Sequence, residues 1–251
     1  MSDLLEIRNC NKRFDGIVAL DDFSCTMKRK EIIGLIGPNG AGKSTLFNVI
    51  TGFIKQDSGR MIFDKKDITK TPAYRINNLG ISRTFQDLRL IRQMTVLDNV
   101  LLSFSKQPCE HLENVFFRNK KVKKSEAQNR KKAVELLNFA GLKDKIHDMA
   151  NDLSYGQQKL LSIICCLASD PELLLLDEPI AGINPAMIDE ILSIIKKLPE
   201  QGKSVIIIEH NMDAITEVCN RVIFMDIGRK ISEGTPQEVR NDPKVIEAYL
   251  D

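Results

Sequence analysis

Apolar residues along the chain follow a strand-like pattern first and a helix-like pattern later. Short β-rich runs open the sequence, LLEIRN and then IVALDDFSCTM. They are followed by EIIGLIG, a continuous apolar run of the kind found in strands that are buried on both faces. The helical run KSTLFNVITG comes after it across a glycine-rich turn. This part of the chain therefore predicts short strands and then a strand, a turn and a helix.

Further along, two more strand-like pieces, RMIFDKKDI and GISRTF, lead to a region of helical apolar spacing from about Met94 to Met149. Strand signals then return as ELLLLDEP, KSVIIIEH and NRVIFMD, separated by the helical runs AMIDEILSIIKKL and DAITEVC. Strands that alternate with helices predict a parallel sheet covered on both faces. We expect one α/β core formed by residues 1–92 and 170–251, interrupted by a helical lobe at 93–169.

Composition and charge are those of an ordinary soluble globular protein. The 251 residues are 43% hydrophobic and 28% charged, and 36 basic against 34 acidic residues leave a net charge of +2. That balance indicates no nucleic-acid partner. The longest apolar runs fall short of the roughly 20 residues that a bilayer requires. The N-terminal MSDLLEIRN lacks the basic-then-apolar order of a secretory signal, so we expect the protein to stay where it is made.

The cysteines show neither CxxC spacing nor companion histidines at metal-ligand intervals. We interpret them as buried thiols in a reducing compartment. They are Cys10, Cys25, Cys109, Cys165, Cys166 and Cys219. His111 and His147, in the helical region, are interpreted as surface residues.

One stretch of the helical region, RNKKVKKSEAQNRKK at 118–132, carries eight Lys or Arg and one Glu. A solvated helix face is the first interpretation. Contact with anionic lipid headgroups is the second, because basic clusters are attracted to acidic membranes. Nucleic acid comes third, since no aromatic residues alternate with the charges.

A phosphate-binding motif follows the EIIGLIG strand. Gly37, Gly42, Lys43 and Ser44 fit GxxxxGK[ST], between a buried strand and a helix. The glycines let backbone N–H groups point at phosphates, and the helix adds its positive N-terminal end. Lys43 supplies a charge for the β and γ phosphates, and the Ser44 hydroxyl can bind Mg²⁺. This P-loop predicts nucleotide binding.

Polar residues at strand ends supply candidate catalytic groups. LLLLDEP ends a strand with Asp177, suited to Mg²⁺, and Glu178, suited to polarising an attacking water. IIIEHN places His210 at the end of the next strand, at the same sheet edge. Gln86, in RTFQDL, follows another strand and could reach Mg²⁺ or the water. Phe14, before a turn, is open to two interpretations: stacking on a nucleotide base, or a core residue.

A second possible anion-binding segment, LSYGQQ, begins the helical run KLLSIICCLA. Ser154 and Gly156 stand where a helix N-terminus begins, and such termini bind anions. Since the P-loop already provides a phosphate site, this second segment needs a different explanation.

With GPNGAGKST, Gln86, LSYGQQ, LLLLDEP and His210 in this order, the chain resembles the ATP-binding subunits of ABC transporters from about Leu4 to its end. The resemblance implies a RecA-like P-loop NTPase core with an N-terminal antiparallel β subdomain and a helical lobe. It implies ATP and Mg²⁺, with catalytic roles for Glu178, His210 and Gln86 and metal contacts from Ser44, Gln86 and Asp177. By the same resemblance the nucleotide contacts are Phe14, Gly37, Asn39, Gly40, Ala41, Gly42, Lys43, Ser44, Thr45, Ser154, Gly156 and Gln157.

In that family LSYGQQ is the signature motif, which closes on the ATP of a partner subunit. Two ATPase subunits then form two composite sites about a twofold axis. Hydrolysis produces ADP and phosphate, which repel one another and loosen the pair of subunits. Nucleotide binding and hydrolysis thereby close and open the dimer. The resemblance thereby explains why one chain carries two phosphate-binding segments.

The finer resemblance is to the YGQQ-bearing ATPases of importers of branched-chain amino acids and similar solutes, through RTFQDLRLIRQMTVLDNV, DEPIAGINP and GTPQEVRNDPKVIEAYLD. It implies a peripheral protein on the cytoplasmic face of the cell membrane. Its partners are then integral membrane permease subunits, a second ABC ATPase and, indirectly, a solute-binding protein. The segment after Gln86 and the helical lobe are expected to form the groove for a permease helix. The alternative is a soluble ABC ATPase of iron-sulfur cluster assembly.

Three residues depart from the wider family pattern. Tyr155 replaces a small residue of the signature, Asn184 replaces a common aspartate after Glu178, and Cys165 occupies the place of an arginine in the signature helix. None of these changes removes a catalytic group.

Overall fold

The structure is a computed structural model that describes residues 3–105 and 120–248, with side chains in the second range from Lys124 onward. Two β-sheets form its framework. The first is antiparallel, in the order β2-β1-β4-β5. Its strands are β1 (Leu5–Phe14), β2 (Ile17–Met27), β4 (Ser58–Phe63) and β5 (Lys66–Asp67). This sheet confirms the expected N-terminal antiparallel β subdomain.

The second sheet has six strands in the order β10-β9-β3-β8-β7-β6. Its strands are β3 (Ile32–Ile36), β6 (Ile81–Arg83), β7 (Leu173–Asp177), β8 (Ser204–Ile208), β9 (Arg221–Asp226) and β10 (Arg229–Gly234). All neighbours are parallel except β10, which pairs antiparallel with β9 as a hairpin. The parallel part confirms the predicted α/β core, whereas β10 was not predicted.

Helices connect and cover these strands. In the described residues they are α1 (Lys43–Ile50), α2 (Ala73–Leu79), α3 (Val96–Leu102), α4 (Lys120–Phe139), α5 (Tyr155–Ala168), α6 (Pro185–Lys197), α7 (Met212–Val218), α8 (Pro236–Arg240) and α9 (Pro243–Ala248). None of them, over the ranges that the structure covers, is long and apolar enough to cross a bilayer.

Each face of the parallel sheet belongs to its own apolar cluster. On β7, Leu174 and Leu176 join one cluster, whereas Leu173 and Leu175 join the other. A strand that is covered on both sides has no polar face, which explains its unbroken apolar run. The first cluster also contains residues of α3, α4 and α5, so the helical region shares a continuous core with the sheet. The lobe boundaries at 93 and 169 therefore stay predictions.

The exposure of the described histidine and cysteine residues largely agrees with the sequence analysis. His147 is exposed, as expected. The thiols of Cys10, Cys25 and Cys219 are buried, and Cys165 and Cys166 are partly buried; none of these five forms a disulfide. Burial raises the pKa of Cys10 to about 11 and that of Cys219 to about 12. Cys109, His111 and the start of the basic stretch lie outside the described residues.

The topology places several loops at one edge of the parallel sheet. Strands β3, β8 and β7 are neighbours and run in the same direction, so the segments after Ile36, Ile208 and Asp177 leave the sheet side by side. In open parallel sheets, ligands bind at this carboxyl edge.

Candidate active site

The phosphate loop connects β3 to α1, and two of its glycines are required by the backbone. Gly37 has φ 146° and Gly42 has φ 98°, a region that residues with a Cβ rarely adopt. A Cβ at Gly37 would collide with the carbonyl oxygen of Met225, and one at Gly42 with that of Ala19. The loop is thus held against the strand and hairpin behind it.

The N-terminus of α1 is open for an anion. Its N-cap is Gly42, which supplies no side-chain hydrogen bond, so the first N–H groups are available. Lys43 is 6% exposed, and its ammonium donates to the carbonyl oxygens of Gly37 (2.7 Å) and Pro38 (2.8 Å). Burial lowers the pKa of Lys43, and the carboxylates of Glu178 and Asp177 oppose this. Ser44 is exposed beside it.

Asp177, the last residue of β7, is paired with an arginine that the sequence did not single out. Arg83 Nη2 donates to Asp177 Oδ2 at 2.7 Å, and Nη1 donates to Asn48 Oδ1 at 2.6 Å. The Arg83 guanidinium also lies 5.3 Å from the ring centroid of Phe47 and 5.2 Å from that of Phe85. Arg83 therefore connects β7, α1 and the segment after β6.

Glu178 lies between the other two candidate catalytic residues. Gln86 Nε2 donates to Glu178 Oε2 at 3.2 Å, and His210 Nε2 lies 3.3 Å from Glu178 Oε1. The backbone of Glu178 is left-handed, with φ 48°, and its N–H donates to Ile208 O at 2.9 Å. Such backbone strain in a non-glycine residue is found preferentially at functional sites. The structure thus brings Gln86, Glu178 and His210 together.

Two further charged groups lie beneath Glu178. Lys159, on α5, donates from Nζ to the main-chain oxygen of Glu178 at 2.6 Å. The Glu209 carboxylate accepts from Ile180 N (2.9 Å) and from His210 N (3.2 Å). Lys159 is 7% and Glu209 is 3% exposed. Both side chains are therefore buried against the main chain of Glu178 and of the residues around it.

The signature segment forms the N-terminus of α5 as a capping box. Ser154 Oγ accepts from Gln157 N at 3.3 Å, and Gln157 Oε1 accepts from Ser154 N at 3.0 Å. Gly156 packs against α6, where an added Cβ would lie 2.5 Å from Met187 Cγ. Asn184 caps α6 by accepting from Met187 N at 3.0 Å. The departures at Tyr155 and Asn184 therefore leave both helix starts intact.

Phe14 lies on the antiparallel sheet, not on the parallel one. It ends β1 in the antiparallel sheet and is 40% exposed, with the Lys12 ammonium 5.2 Å from its ring centroid. An exposed ring excludes the interpretation as a core residue. Its contact with a base stays a prediction.

A groove of about 670 Å³ lies between the parallel core and the helical region. It is lined by aromatic, aliphatic and polar side chains, among them Phe53, Tyr74, Phe85, Arg89, Leu102 and Cys165. Tyr74 and Phe53 are exposed by 69% and 54%. Cys165 forms a hydrogen bond with Ser103, and burial raises the pKa of its thiol to about 11. The residue that stands where the wider family has an arginine is therefore an uncharged part of the groove lining.

Arg83, Lys159 and Glu209 were missed by sequence reasoning. Arg83 and Glu209 lie at the ends of the strands that lead to Gln86 and His210, so their place in the sequence could have marked them as site residues. Lys159 is the one charged residue of the run YGQQKLLSIICCLA, and a charge in an apolar helix indicates a buried partner.

This geometry is that of P-loop nucleotide-hydrolysing proteins. Residues 20–181 match the family model of the ABC transporter, and residues 229–250 match that of the branched-chain amino acid ATP-binding cassette transporter. The chain belongs to the ABC transporter ATP-binding family. As a member, it is an ATPase subunit of a transporter.

Two curated relatives are similar over nearly the whole chain. The probable branched-chain amino acid transport ATP-binding protein LivG of Methanocaldococcus jannaschii is 38% identical, covering 99% of this chain and 97% of the relative. The high-affinity branched-chain amino acid transport ATP-binding protein LivG of Salmonella typhimurium is 35% identical, covering 98% and 97%. These names disfavour the iron-sulfur alternative.

Two solved structures have the same fold. An ATP-binding cassette of an ABC transporter in its ADP conformation gives a TM-score of 0.87 at 37% identity, covering 100% of this chain and 99% of that one. A dimeric post-hydrolysis state of an ATP-binding cassette bound to ADP and Pi gives 0.75 at 26% identity, covering 92% and 98%. They confirm the predicted P-loop NTPase fold.

Proposed function

We propose that this chain hydrolyses MgATP in a site shared with a second ABC ATPase subunit, and thereby drives amino acid import through membrane permease subunits. The observation that carries the proposal is the arrangement of Glu178 between Gln86 and His210, at the sheet edge that also presents the phosphate loop. A carboxylate held by two flanking polar groups is suited to positioning a water for attack.

Phosphate binding is the first role of these residues. The loop N–H groups from Asn39 to Thr45, with Gly40 and Ala41, surround the phosphates, and the Lys43 ammonium exchanges its two loop carbonyls for phosphate oxygens. Because those carbonyls already hold the ammonium in the loop, little rearrangement is needed. Phe14 stacks on the base from the antiparallel sheet.

The donors near the loop fit Mg²⁺. Ser44, Gln86 and Asp177 offer a hydroxyl, an amide and a carboxylate oxygen, which are the hard ligands that Mg²⁺ prefers. The described residues contain no group of three or more His, Cys, Asp or Glu that could hold a metal. When bound there, the ion would supply charge neutralisation on the phosphates, whose oxygens and water would be its other ligands.

In the hydrolysis step, Glu178 accepts a hydrogen bond from the attacking water and orients it toward the γ phosphate. His210 and Gln86 hold the Glu178 carboxylate in that direction. Both lie on segments that follow parallel strands, so their spacing is set by the sheet. The three residues therefore act as one unit.

Completion of the site by a second subunit is supported by the dimeric post-hydrolysis relative. In that arrangement Ser154, Gly156 and Gln157 contribute the N-terminus of α5 to ATP on the partner. Hydrolysis then loosens the pair. The ATPase rate per mole of chain should accordingly rise with its concentration or on addition of a partner ATPase; a rate independent of both would contradict the shared site.

The permease is proposed to dock in the groove lined by Phe53, Tyr74 and Phe85. Exposed aromatic rings around a concave surface are typical of helix-binding grooves. The chain then lies peripherally on the cytoplasmic face of the membrane, and an external solute-binding protein acts with the permease. Amino acids are proposed as the solute because the relatives are named for branched-chain amino acid transport.

Uptake by the native host tests the proposal. Replacing the chromosomal gene with one that encodes the Lys43→Met variant should reduce uptake of labelled leucine to background, while uptake of an unrelated sugar stays normal. In the same host, the wild-type chain should copurify with integral membrane subunits. Unchanged uptake of leucine, isoleucine and valine would contradict the assigned solute class, and absence of membrane subunits would contradict the transporter assembly.

A further inference from the structure

Lys159 lies in an unusual position for a lysine. It is the fifth residue of α5, is 7% exposed, and directs its ammonium at the main-chain oxygen of Glu178, 2.6 Å away. That oxygen belongs to a residue with left-handed backbone, φ 48°. A charge-assisted hydrogen bond to this carbonyl stabilises a peptide orientation that a glutamate rarely adopts.

The peptide segments around Glu178 are held from the other side by Glu209. Its two carboxylate oxygens accept from Ile180 N and His210 N, so one buried group fixes the turn after Glu178 and the strand end that carries His210. Burial lowers the pKa of Lys159 and raises that of Glu209, and each charge opposes the shift of the other. The two buried charges therefore stabilise one another beneath the catalytic carboxylate.

The same lysine also contacts the exposed end of α5. Its Nζ lies 5.5 Å from the ring centroid of Tyr155, within the range of cation–π attraction. Tyr155 is 50% exposed and follows Ser154, the residue proposed to meet the partner's ATP. A continuous line of contacts thus runs from the signature segment through Lys159 to Glu178.

We propose that Lys159 is a positioning residue that couples the two composite sites: through its hydrogen bond to Glu178 O, the signature helix sets the direction of the Glu178 carboxylate in the same chain. The inference rests on the proposed function, because it takes Glu178 as the group that orients water. Ser154 acts on one ATP and Glu178 on the other. Movement of α5 when the partner's ATP is clasped therefore changes the placement of Glu178 at this chain's own ATP.

Lys159→Met tests the positioning role in the full-length protein. Methionine has a similar length and no charge, so kcat for ATP should fall at least about tenfold while KM changes less than about twofold. Lys159→Arg, which can still donate to Glu178 O, should recover most of the rate. Lys203→Met is the matched control, because it removes another largely buried ammonium, paired with Asp170, and should leave the rate unchanged. Equal kcat for Lys159→Met and wild type would overturn the proposal.

A double variant separates positioning from charge balance. Lys159→Met with Glu209→Gln removes both buried charges and keeps an oxygen for Ile180 N. It gives up the acceptor of His210 N, so the double variant is compared with Glu209→Gln alone. If the rate stays low in the double variant while its melting temperature recovers, the contact with Glu178 O is responsible. Recovery of the rate would show that Lys159 only neutralises Glu209 and would overturn the proposal.

Hydrogen exchange gives a measurement that does not depend on activity. The Glu178 amide donates to Ile208 O, and the Ile180 amide donates to the Glu209 carboxylate. Both amides should therefore exchange slowly in wild type and several-fold faster in Lys159→Met. Unchanged exchange at both amides would contradict the role. Glu178→Gln run in parallel distinguishes the two failures. A fully active Glu178→Gln removes Glu178 as the group that orients water in the proposed function, whereas a slow Glu178→Gln beside a fully active Lys159→Met removes only the positioning role.

Discussion

Arg83 and Asp177 form an ion pair in the interior, with Nη2 and Oδ2 2.7 Å apart and only 7% and 5% of the two side chains exposed. Asp177 ends the strand that leads to Glu178, and Arg83 ends the neighbouring strand that leads to Gln86. The pair therefore joins the two segments that supply the candidate catalytic carboxylate and one of its partners.

Arg83→Met should destabilise the fold strongly, because it leaves the Asp177 carboxylate buried without its cation. Breaking a buried pair from one side costs about 3 kcal/mol or more. Urea unfolding followed by circular dichroism measures the change in free energy of unfolding.

Arg60→Met is the matched control for that experiment. Arg60 pairs with Asp67 at 2.8 Å, but the two side chains are 58% and 46% exposed. An exposed pair contributes at most about 1 kcal/mol. Equal losses in the two variants would contradict the importance of burial at Arg83.

The residues at strand ends were predictable because parallel strands end at one edge. Asp177 and Glu178 end one unbroken apolar run, and His210 comes two residues after the end of another, so their shared edge follows from the alternation of strands and helices. Lys159 was not predictable in the same way. Its partner is a main-chain oxygen 19 residues away on another element, and such a contact depends on how α5 packs on the sheet.

Strand β10 shows a different limit. Its sequence, RKISEG, lacks an alternating apolar face, and none of its residues is fully buried. The strand forms because it pairs with the buried β9 across the turn at Ile227 and Gly228, whose φ values are 42° and 76°. Two positive φ angles are typical of a tight hairpin turn, whose first position usually holds Asn, Asp or Gly. Because Ile227 occupies that position, the sequence does not predict the turn.

Glu178→Gln should still bind ATP but hydrolyse it about a hundredfold more slowly or worse, since an amide cannot accept the proton of the water as a carboxylate does. Single-turnover assays with labelled ATP measure the hydrolysis step, and fluorescent-nucleotide titration measures binding. Glu200→Gln, at an exposed carboxylate after α6, is the control and should behave as wild type. A Glu178→Gln protein with normal turnover would remove Glu178 from the mechanism.

Two capping boxes in the chain allow a function of Ser154 to be separated from helix capping. Ser154 and Gln157 cap α5, and Thr235 and Glu238 cap α8 by the same reciprocal hydrogen bonds. Ser154→Ala and Thr235→Ala should each lower the free energy of unfolding by about 1 kcal/mol. Only Ser154→Ala should reduce ATPase activity, measured at equal folded concentration, because only its hydroxyl is proposed to meet ATP. Equal activities would reduce Ser154 to a structural cap.

Gly156 is expected to be needed for packing as well as for its N–H group. Alanine at this position places Cβ 2.5 Å from Met187 Cγ and 3.3 Å from Met187 Cβ, so α5 and α6 must separate or Met187 must change its rotamer. Overpacking of this kind costs about 1–3 kcal/mol. Gly156→Ala should therefore lower the free energy of unfolding by that amount, whereas Gly156→Ala with Met187→Ala should lose less than the sum of the two single variants. Urea titration of the four proteins completes the cycle, and strict additivity would show that the two side chains do not meet. If the double variant regains stability but not ATPase activity, the remaining defect lies in how the start of α5 approaches the nucleotide rather than in its contact with α6.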